Sequence, residues 1–220
     1  MHSMTIKKCA SVFSIFCIFV LLVPGLEAAP FQLADKKLEA CVNALAKKHA
    51  WENAASVDKI ECHNKGITSL DGVEQFKNVV KLSFHKNDIK QVKLSNLLLL
   101  REINLARNKI QTLELANFPQ LKNLYFFGNR IPTLSLNALP SLEQIKGNSS
   151  EIVNFEYHDL PKLEKIYLFD NEIETLDIYH LPAMKYMDVR QNPMPDKLYE
   201  DMDKVPGVTI LHDGNAEDWQ

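Results

Sequence analysis

The sequence predicts an α/β solenoid, in which short coils stack on one another and share one core. Three observations predict it. A pattern of apolar residues that ends in asparagine recurs every 21 residues. Further apolar residues recur in fixed columns within each unit, and prolines recur at one point of four consecutive units. A unit this short has too few apolar side chains to fold alone, so it must stack on its neighbours.

The repeating pattern is LxxLxLxxN, whose three apolar residues are expected to point inward. A clear copy consists of Leu100, Ile103, Leu105 and Asn108. The asparagine column, spaced without an insertion, consists of Asn87, Asn108, Asn129, Ser150, Asn171, Asn192 and Asp213. One copy is weak, because Gly147 stands at an inward position and Ser150 replaces the asparagine. The asparagines are expected to bond neighbouring coils together.

The motif Asn-x-Ile-x-x-Leu at residues 108–113 recurs in phase with these columns. Over about residues 33–213 the sequence resembles the leucine-rich repeat family, and within it the secreted bacterial, internalin-like members. The resemblance implies a curved parallel sheet of about eight short strands on the concave side, with one strand per repeat. It also implies a helical amino-terminal cap.

The amino terminus is predicted to be a targeting segment. Lys7-Lys8 precede an apolar run at 9–23, which Pro24-Gly25 and a small-residue site near Ala28 follow. This is the pattern of a secretory signal peptide at 1–28, and the apolar run is short for a membrane span. The alternative is an uncleaved anchor. After cleavage we expect no stable membrane insertion and a secreted or periplasmic protein.

Composition limits the classes of partner. The chain has 220 residues, of which 46% are hydrophobic and 24% charged, as in ordinary globular proteins. The net charge of −3 provides no basic field, so no nucleic-acid partner is expected.

The sequence divides into an amino-terminal cap at 29–56, repeats at 57–194 and a carboxy-terminal cap at 195–220. Asp35 is positioned to cap a helix from about Lys36 to His49, with Leu38 and Val42 on its inward face. The carboxy-terminal cap is predicted to hold a short helix, a last strand and a loose polar tail at 214–220. The helix would include Leu198, Met202 and Val205.

Two cysteines remain after the predicted cleavage, and both lie near the amino-terminal cap. Cys41 falls on the inward face of the predicted helix, and Cys62 falls at an inward strand position of the first repeat. Since the helix must cover the open end of the solenoid, the two would face each other across that junction. In an oxidising compartment we predict a disulfide. The alternative is two buried free thiols.

Two columns of each strand are expected to be displayed on the concave side. The fifth position holds Glu61, Ser83, Asn104, Tyr125, Lys146, Tyr167, Asp188 and Thr209. The seventh position holds His63, His85, Ala106, Phe127, Asn148, Phe169, Arg190 and Leu211. Tyr125 and Phe127 therefore share a strand. Tyr167 and Phe169 share another, two strands and about 10 Å away.

These two aromatic pairs predict a binding patch. The rings would form walls around a polar floor of Lys146 and Asn148, and Tyr186 and Arg190 on the next strand would extend it. Aromatic side chains on a rigid surface are the types that anchor interfaces. The alternative is that the rings cover a gap left by Gly147 or reflect ordinary strand composition.

Other site chemistries have weaker support. His63 and His85 fall on adjacent strands with Glu61 nearby, but a third fixed metal ligand is not evident, so no metal site is predicted. The sequence has no Gly-rich phosphate loop, GxSxG elbow or HExxH motif, so neither catalysis nor a cofactor is predicted.

The resulting hypothesis is an exported module that binds a protein partner through its concave face. A host surface protein, as for the internalins, and an envelope protein are both candidate partners. The alternative is an envelope structural or self-assembly protein that uses its outer face or an edge strand.

Overall fold

The computed structural model describes residues 31–215. The predicted signal peptide at 1–28 and residues 216–220 of the predicted tail lie outside this range. Within 31–215, no helix has the length and apolar character needed to span a membrane. The elements are α1 (Lys36–His49), β1 (Lys59–Glu61), β2 (Lys81–Ser83), β3 (Gln91–Ser95), β4 (Glu102–Asn104), β5 (Thr112–Ala116), β6 (Asn123–Tyr125), β7 (Thr133–Asn137), β8 (Gln144–Lys146), β9 (Asn154–His158), β10 (Lys165–Tyr167), β11 (Tyr186–Asp188), α2 (Asp196–Met202) and β12 (Thr209–Leu211).

One continuous parallel sheet forms the inner side of the solenoid. Its eight strands lie in the order β1-β2-β4-β6-β8-β10-β11-β12, so each repeat contributes one strand. Ile103 pairs with Leu82 on one side and with Leu124 on the other, and the central residues of these strands are fully buried. The predicted fold class is therefore confirmed, because the inward columns bury one face of each coil.

The asparagine column bonds each coil to the one before it. Asn129 donates from Nδ2 to the carbonyl oxygens of Phe126 (2.6 Å) and Leu105 (3.1 Å), and its Oδ1 accepts from the Ile110 N–H (2.9 Å). Asn87, Asn108, Asn171 and Asn192 make equivalent bonds. Ser150 keeps one of them, because its hydroxyl donates to the Phe126 carbonyl.

The outer side carries two small parallel sheets, β3-β5 and β7-β9, which the sequence reasoning did not predict. Gln111, just before β5, donates its N–H to the Lys90 carbonyl of the preceding coil. The equivalent residue before β7 is Pro132, which has no N–H to donate. The outer sheet therefore divides between β5 and β7, whereas the inner sheet is continuous.

The amino-terminal cap forms as predicted. Asp35 caps α1 by accepting from the N–H groups of Lys37 (2.8 Å) and Leu38 (3.0 Å). Its other carboxylate oxygen accepts from the N–H and hydroxyl of Thr68, which ties the helix to the first repeat. A disulfide joins Cys41 to Cys62, which confirms the predicted pairing over the alternative of free thiols.

The carboxy-terminal cap corrects the last predicted repeat. Met187 pairs with Ile210, a step of 23 residues rather than 21, because α2 and the Pro206-Gly207 turn add two residues. Asp213 therefore does not occupy the asparagine column. The helix also ends at Met202, before Val205.

The shifted register places His212 at an inward position. His212 is fully buried, and its ring stacks on that of Tyr199 at 4.9 Å. The side chain of Asn215 accepts from the His212 N–H (3.1 Å) and donates to the Ile210 carbonyl (3.1 Å). The start of the predicted loose tail, at Gly214 and Asn215, is thus part of the cap.

Candidate functional site

The centre of the predicted patch is a row of three side chains on neighbouring strands. Tyr125 on β6 and Tyr167 on β10 both pair with Lys146 on β8, between them. The Lys146 Nζ lies 5.6 Å from the centre of the Tyr125 ring and 5.1 Å from that of Tyr167. Both distances fall in the range of cation–π contacts. The ammonium group therefore lies between the rings and does not form a floor beneath them.

Further contacts fix the tyrosines. The Tyr125 hydroxyl donates to the Gln144 side-chain oxygen at 3.0 Å, and the Tyr167 and Tyr186 rings lie 5.3 Å apart. Burial, followed by the charge of Glu102, raises the pKa of Tyr125. Burial, followed by the charge of Asp188, raises that of Tyr186. Both phenols therefore stay neutral at physiological pH and present donor groups and ring faces.

The seventh-position residues of the patch lie beside this row. Phe127, Asn148 and Phe169 are all half-buried, and their backbones are fixed by inter-strand bonds such as Gly128 N–H to the Asn148 carbonyl (3.0 Å). A depression of about 320 Å³ opens beside Phe169. Its other lining residues are Arg190, Gln191 and Asp213.

Arg190 has a partner within the protein. Its Nε and one terminal nitrogen donate to the two oxygens of Asp188, at 2.9 and 2.7 Å. Asp188 is buried, although its column was predicted to be displayed. Ser83, Ala106 and Leu211 are also buried, although their positions were predicted to be exposed on the concave side. Because a bidentate pair fixes Arg190, its guanidinium contributes little free charge to the patch.

The space beside Gly147 is filled. A Cβ on Gly147 would overlap the ring of Phe126, and it would lie 3.1 Å from Leu168 Cδ2. The exposed rings of Tyr125 and Tyr167 therefore do not cover a gap, which removes that part of the alternative. The small residue at this inward position instead accommodates a large ring from the neighbouring strand.

The two histidines near the amino-terminal cap lie side by side. The rings of His63 and His85 are 6.0 Å apart, and His63 Nε2 lies 2.8 Å from the Ser83 hydroxyl. Burial, followed by the charges of Arg107 and His63, lowers the pKa of His85. In the described part of the chain, 31–215, no three His, Cys, Asp or Glu side chains are arranged to hold a metal ion.

The sequence reasoning missed a cavity on the outer side. It has a volume of about 810 Å³. Its lining includes Pro140, Tyr157, Leu160, Pro161 and Pro182. The recurring prolines are the sequence signal that marks this surface.

The type of fold follows from the geometry of the repeats. From β2 to β11 the strands of the inner sheet pair at intervals of 21 residues, and buried asparagines join successive coils at the same point of the repeat. The chain has a leucine-rich-repeat fold. A helical cap precedes the first repeat, and the Cys41–Cys62 disulfide joins the two.

No family model and no curated protein matches the chain. Solved structures similar to this leucine-rich-repeat protein include internalin C2 of Listeria monocytogenes, at 17% identity and a TM-score of 0.49 over 82% of this chain and 94% of that one. An internalin (InlF) of the same organism has 16% identity and a TM-score of 0.35, over 82% and 75%. A leucine-rich-repeat protein of Leptospira interrogans has 18% identity and a TM-score of 0.33, over 63% and 50%.

Proposed function

We propose that this leucine-rich-repeat protein binds a partner protein through its concave face. The anchors are Tyr125, Phe127, Tyr167 and Phe169. The observation that supports the proposal most directly is the row formed by Tyr125, Lys146 and Tyr167, which is half-exposed on a continuous sheet. Aromatic rings that are held in place before binding lose little conformational freedom in a complex.

The shape of the surface favours a macromolecular ligand. The rings are spread over β6, β10 and β11, with Lys146 of β8 among them, and the depression beside Phe169 measures only about 320 Å³. A wide and shallow surface suits another protein better than a small enclosed molecule. The continuous strand pairing also predicts little backbone change on binding.

The proposed activity is recognition without catalysis. Charged side chains at both ends of the concave face are engaged in ion pairs, such as Lys81 with Glu102 (2.9 Å) and Arg190 with Asp188 (2.7 Å). Groups held in this way stabilise a surface and are poorly placed to exchange protons with a ligand. The proposal includes export through the predicted signal peptide, so the partner is a host surface or envelope protein.

The test is a pull-down from host-cell and envelope extracts with the mature protein and two double variants. Phe127→Ala/Phe169→Ala removes two predicted anchors. Leu98→Ala/Leu99→Ala is the control, because these exposed apolar residues are 49% and 39% accessible and lie outside the inner strands. Circular dichroism must first show that both variants fold.

A partner captured by the wild type and the control, but lost by the Phe127→Ala/Phe169→Ala variant, supports the proposal. Equal capture by all three proteins refutes the aromatic patch as a recognition site. Self-association of the wild type that only Leu98→Ala/Leu99→Ala removes would favour an assembly role for the outer surface. Light scattering measures that outcome.

A further inference from the structure

Only some of the lysines of the inner sheet form ion pairs with a carboxylate. Its eight strands contain Lys59, Lys81, Lys146 and Lys165. Glu61 lies 2.9 Å from Lys59 and 3.3 Å from Lys81, and Glu102 lies 2.9 Å from Lys81. The lysines of the first two strands are therefore neutralised by a chain of ion pairs.

Lys146 and Lys165 have no such partner. Among the described residues, neither ammonium group has a carboxylate within 4.0 Å or donates a hydrogen bond. The nearby carboxylates are engaged elsewhere, since Glu143 pairs with Lys122 (2.7 Å) and Glu164 with Lys185 (2.7 Å). Two lysines without a direct carboxylate partner thus lie together on the concave face, beside the aromatic row.

The strand register fixes the spacing of these two charges. Lys165 on β10 lies opposite Gln144 on β8, and Tyr167 lies opposite Lys146. The lysines are therefore offset by one strand and two residues. Strands about 4.8 Å apart with a rise of about 3.3 Å per residue put their Cα atoms about 8 Å apart. Both side chains lie on the same face of the sheet, because alternate residues of a strand face the same side and these are the third and fifth positions of their repeats.

We propose that the partner presents an extended acidic segment whose carboxylates lie on alternate residues, one bound by Lys146 and the other by Lys165. Alternate residues of an extended chain lie about 6.6 Å apart and face the same side, which fits the spacing of the lysines. This inference rests on the proposed function, since it specifies the chemistry of the same concave site.

The aromatic row strengthens this match. The rings of Tyr125 and Tyr167 hold the Lys146 ammonium between them and replace part of its water shell. A cation with less water around it interacts more strongly with an incoming carboxylate. Because both lysines are open to solvent on one side, the attraction is screened by salt, and binding weakens as ionic strength rises.

The test is calorimetric titration with three capped peptides of otherwise identical sequence. One carries aspartates on alternate residues, one carries adjacent aspartates, and one carries asparagines in place of the alternate aspartates. The proteins are the wild type, Lys146→Gln, Lys165→Gln and Lys59→Gln. Lys59→Gln is the matched control, because it removes a lysine that already has a carboxylate partner.

We expect the alternate-aspartate peptide to bind the wild type most tightly. Lys146→Gln and Lys165→Gln should each weaken it about fivefold at low salt, and Lys59→Gln should leave it unchanged. Equal binding of the three peptides, or equal loss in all three lysine variants, overturns the proposal. So does tighter, lysine-dependent binding of a sulfated oligosaccharide, because the ligand would then not be an acidic protein segment.

The pull-down separates this inference from the proposed function. If Phe127→Ala/Phe169→Ala loses the captured partner and the lysine variants retain it, the concave face binds a protein but the acidic-segment assignment is wrong. If neither set of variants affects capture, both proposals are wrong.

Discussion

The ring of Phe126 occupies the space into which a side chain at Gly147 would project. A Cβ at Gly147 would overlap this ring and would also lie 3.1 Å from Leu168. The residue that makes this repeat look degenerate in sequence is therefore matched to a large neighbour on the preceding strand. The large ring and the missing side chain therefore complement each other in the core.

Gly147→Ala should destabilise the protein by crowding Phe126. Forcing extra atoms into a filled core costs about 1–3 kcal/mol in free energy of unfolding. Urea denaturation measures the loss. Combining Gly147→Ala with Phe126→Leu should cost less than the sum of the two single changes, because the smaller side chain makes room. A neutral Gly147→Ala variant would contradict the packing described for this repeat.

Asn129→Ala should also destabilise the protein. It leaves the Ile110 N–H without its side-chain partner. The carbonyls of Leu105 and Phe126 lose one donor each but still accept from Asn108 Nδ2 and from the Ser150 hydroxyl. One unpaired buried donor costs about 1–3 kcal/mol, measured by urea denaturation. Asn123→Ala is the control, since this side chain lies on the same coil and makes no hydrogen bond among the described residues. Equal losses from both variants would argue against the asparagine ladder.

Reduction of the Cys41–Cys62 disulfide should lower the free energy of unfolding. The bond closes a loop with a sequence separation of 21 residues. The chain-entropy estimate for such a loop is about 3 kcal/mol. Thermal or urea unfolding with and without a reductant measures the change. A Cys41→Ala/Cys62→Ala variant should not respond to the reductant, and a response there would assign the effect to another cause.

Stability should fall in acid as Asp35 is protonated. Burial alone would raise the pKa of Asp35, but hydrogen bonds from Thr68, Leu38 and Lys37 lower it from 3.8 to about 2. The stabilisation is therefore fully present above pH 3.8 and is lost as the pH falls through about 2. From the size of the shift it amounts to at most roughly 2 kcal/mol, and solvent screening of this partly exposed carboxylate reduces it.

The measurement is the difference in unfolding free energy between the wild type and Asp35→Asn as a function of pH. Asparagine can still cap α1 through its one amide oxygen, but it loses the bonds that Thr68 donates to the second carboxylate oxygen. The pH dependence of the difference, rather than its absolute size, therefore reports the charge. The difference should be largest near neutral pH and should shrink between pH 4 and pH 2. A difference that stays constant over this range would show that the Asp35 charge is not linked to folding.

The inner sheet could be predicted because inward apolar residues fix strand register. The register of the last repeat could not be predicted. Ile210 also fits a 21-residue step from Val189, whereas the structure pairs it with Met187. The two additional residues are accommodated in the turn after α2. The same shift buries His212, a polar residue that the column pattern gives no reason to place inward.

The candidate site was predicted only in part. Register alone put Tyr125 and Tyr167 on either side of Lys146, and the structure agrees. The position of the ammonium group between the rings depends on side-chain rotamers, which a repeat pattern does not specify. The pairing of Arg190 with Asp188 likewise depends on side-chain rotamers. Whether these residues bind a partner is a prediction that the experiments above decide.

The strand-for-strand register of the inner sheet has a consequence for how the protein can change over generations. Loss or duplication of one whole 21-residue unit leaves the asparagine bonds and both caps in place, whereas a single-residue insertion breaks the ladder. Removing the unit that carries β8 would bring Tyr125 directly beside Tyr167 and delete Lys146. Recombination between units can therefore alter the concave surface one strand at a time, with repacking of the core where a unit carries one member of a matched pair such as Phe126 and Gly147.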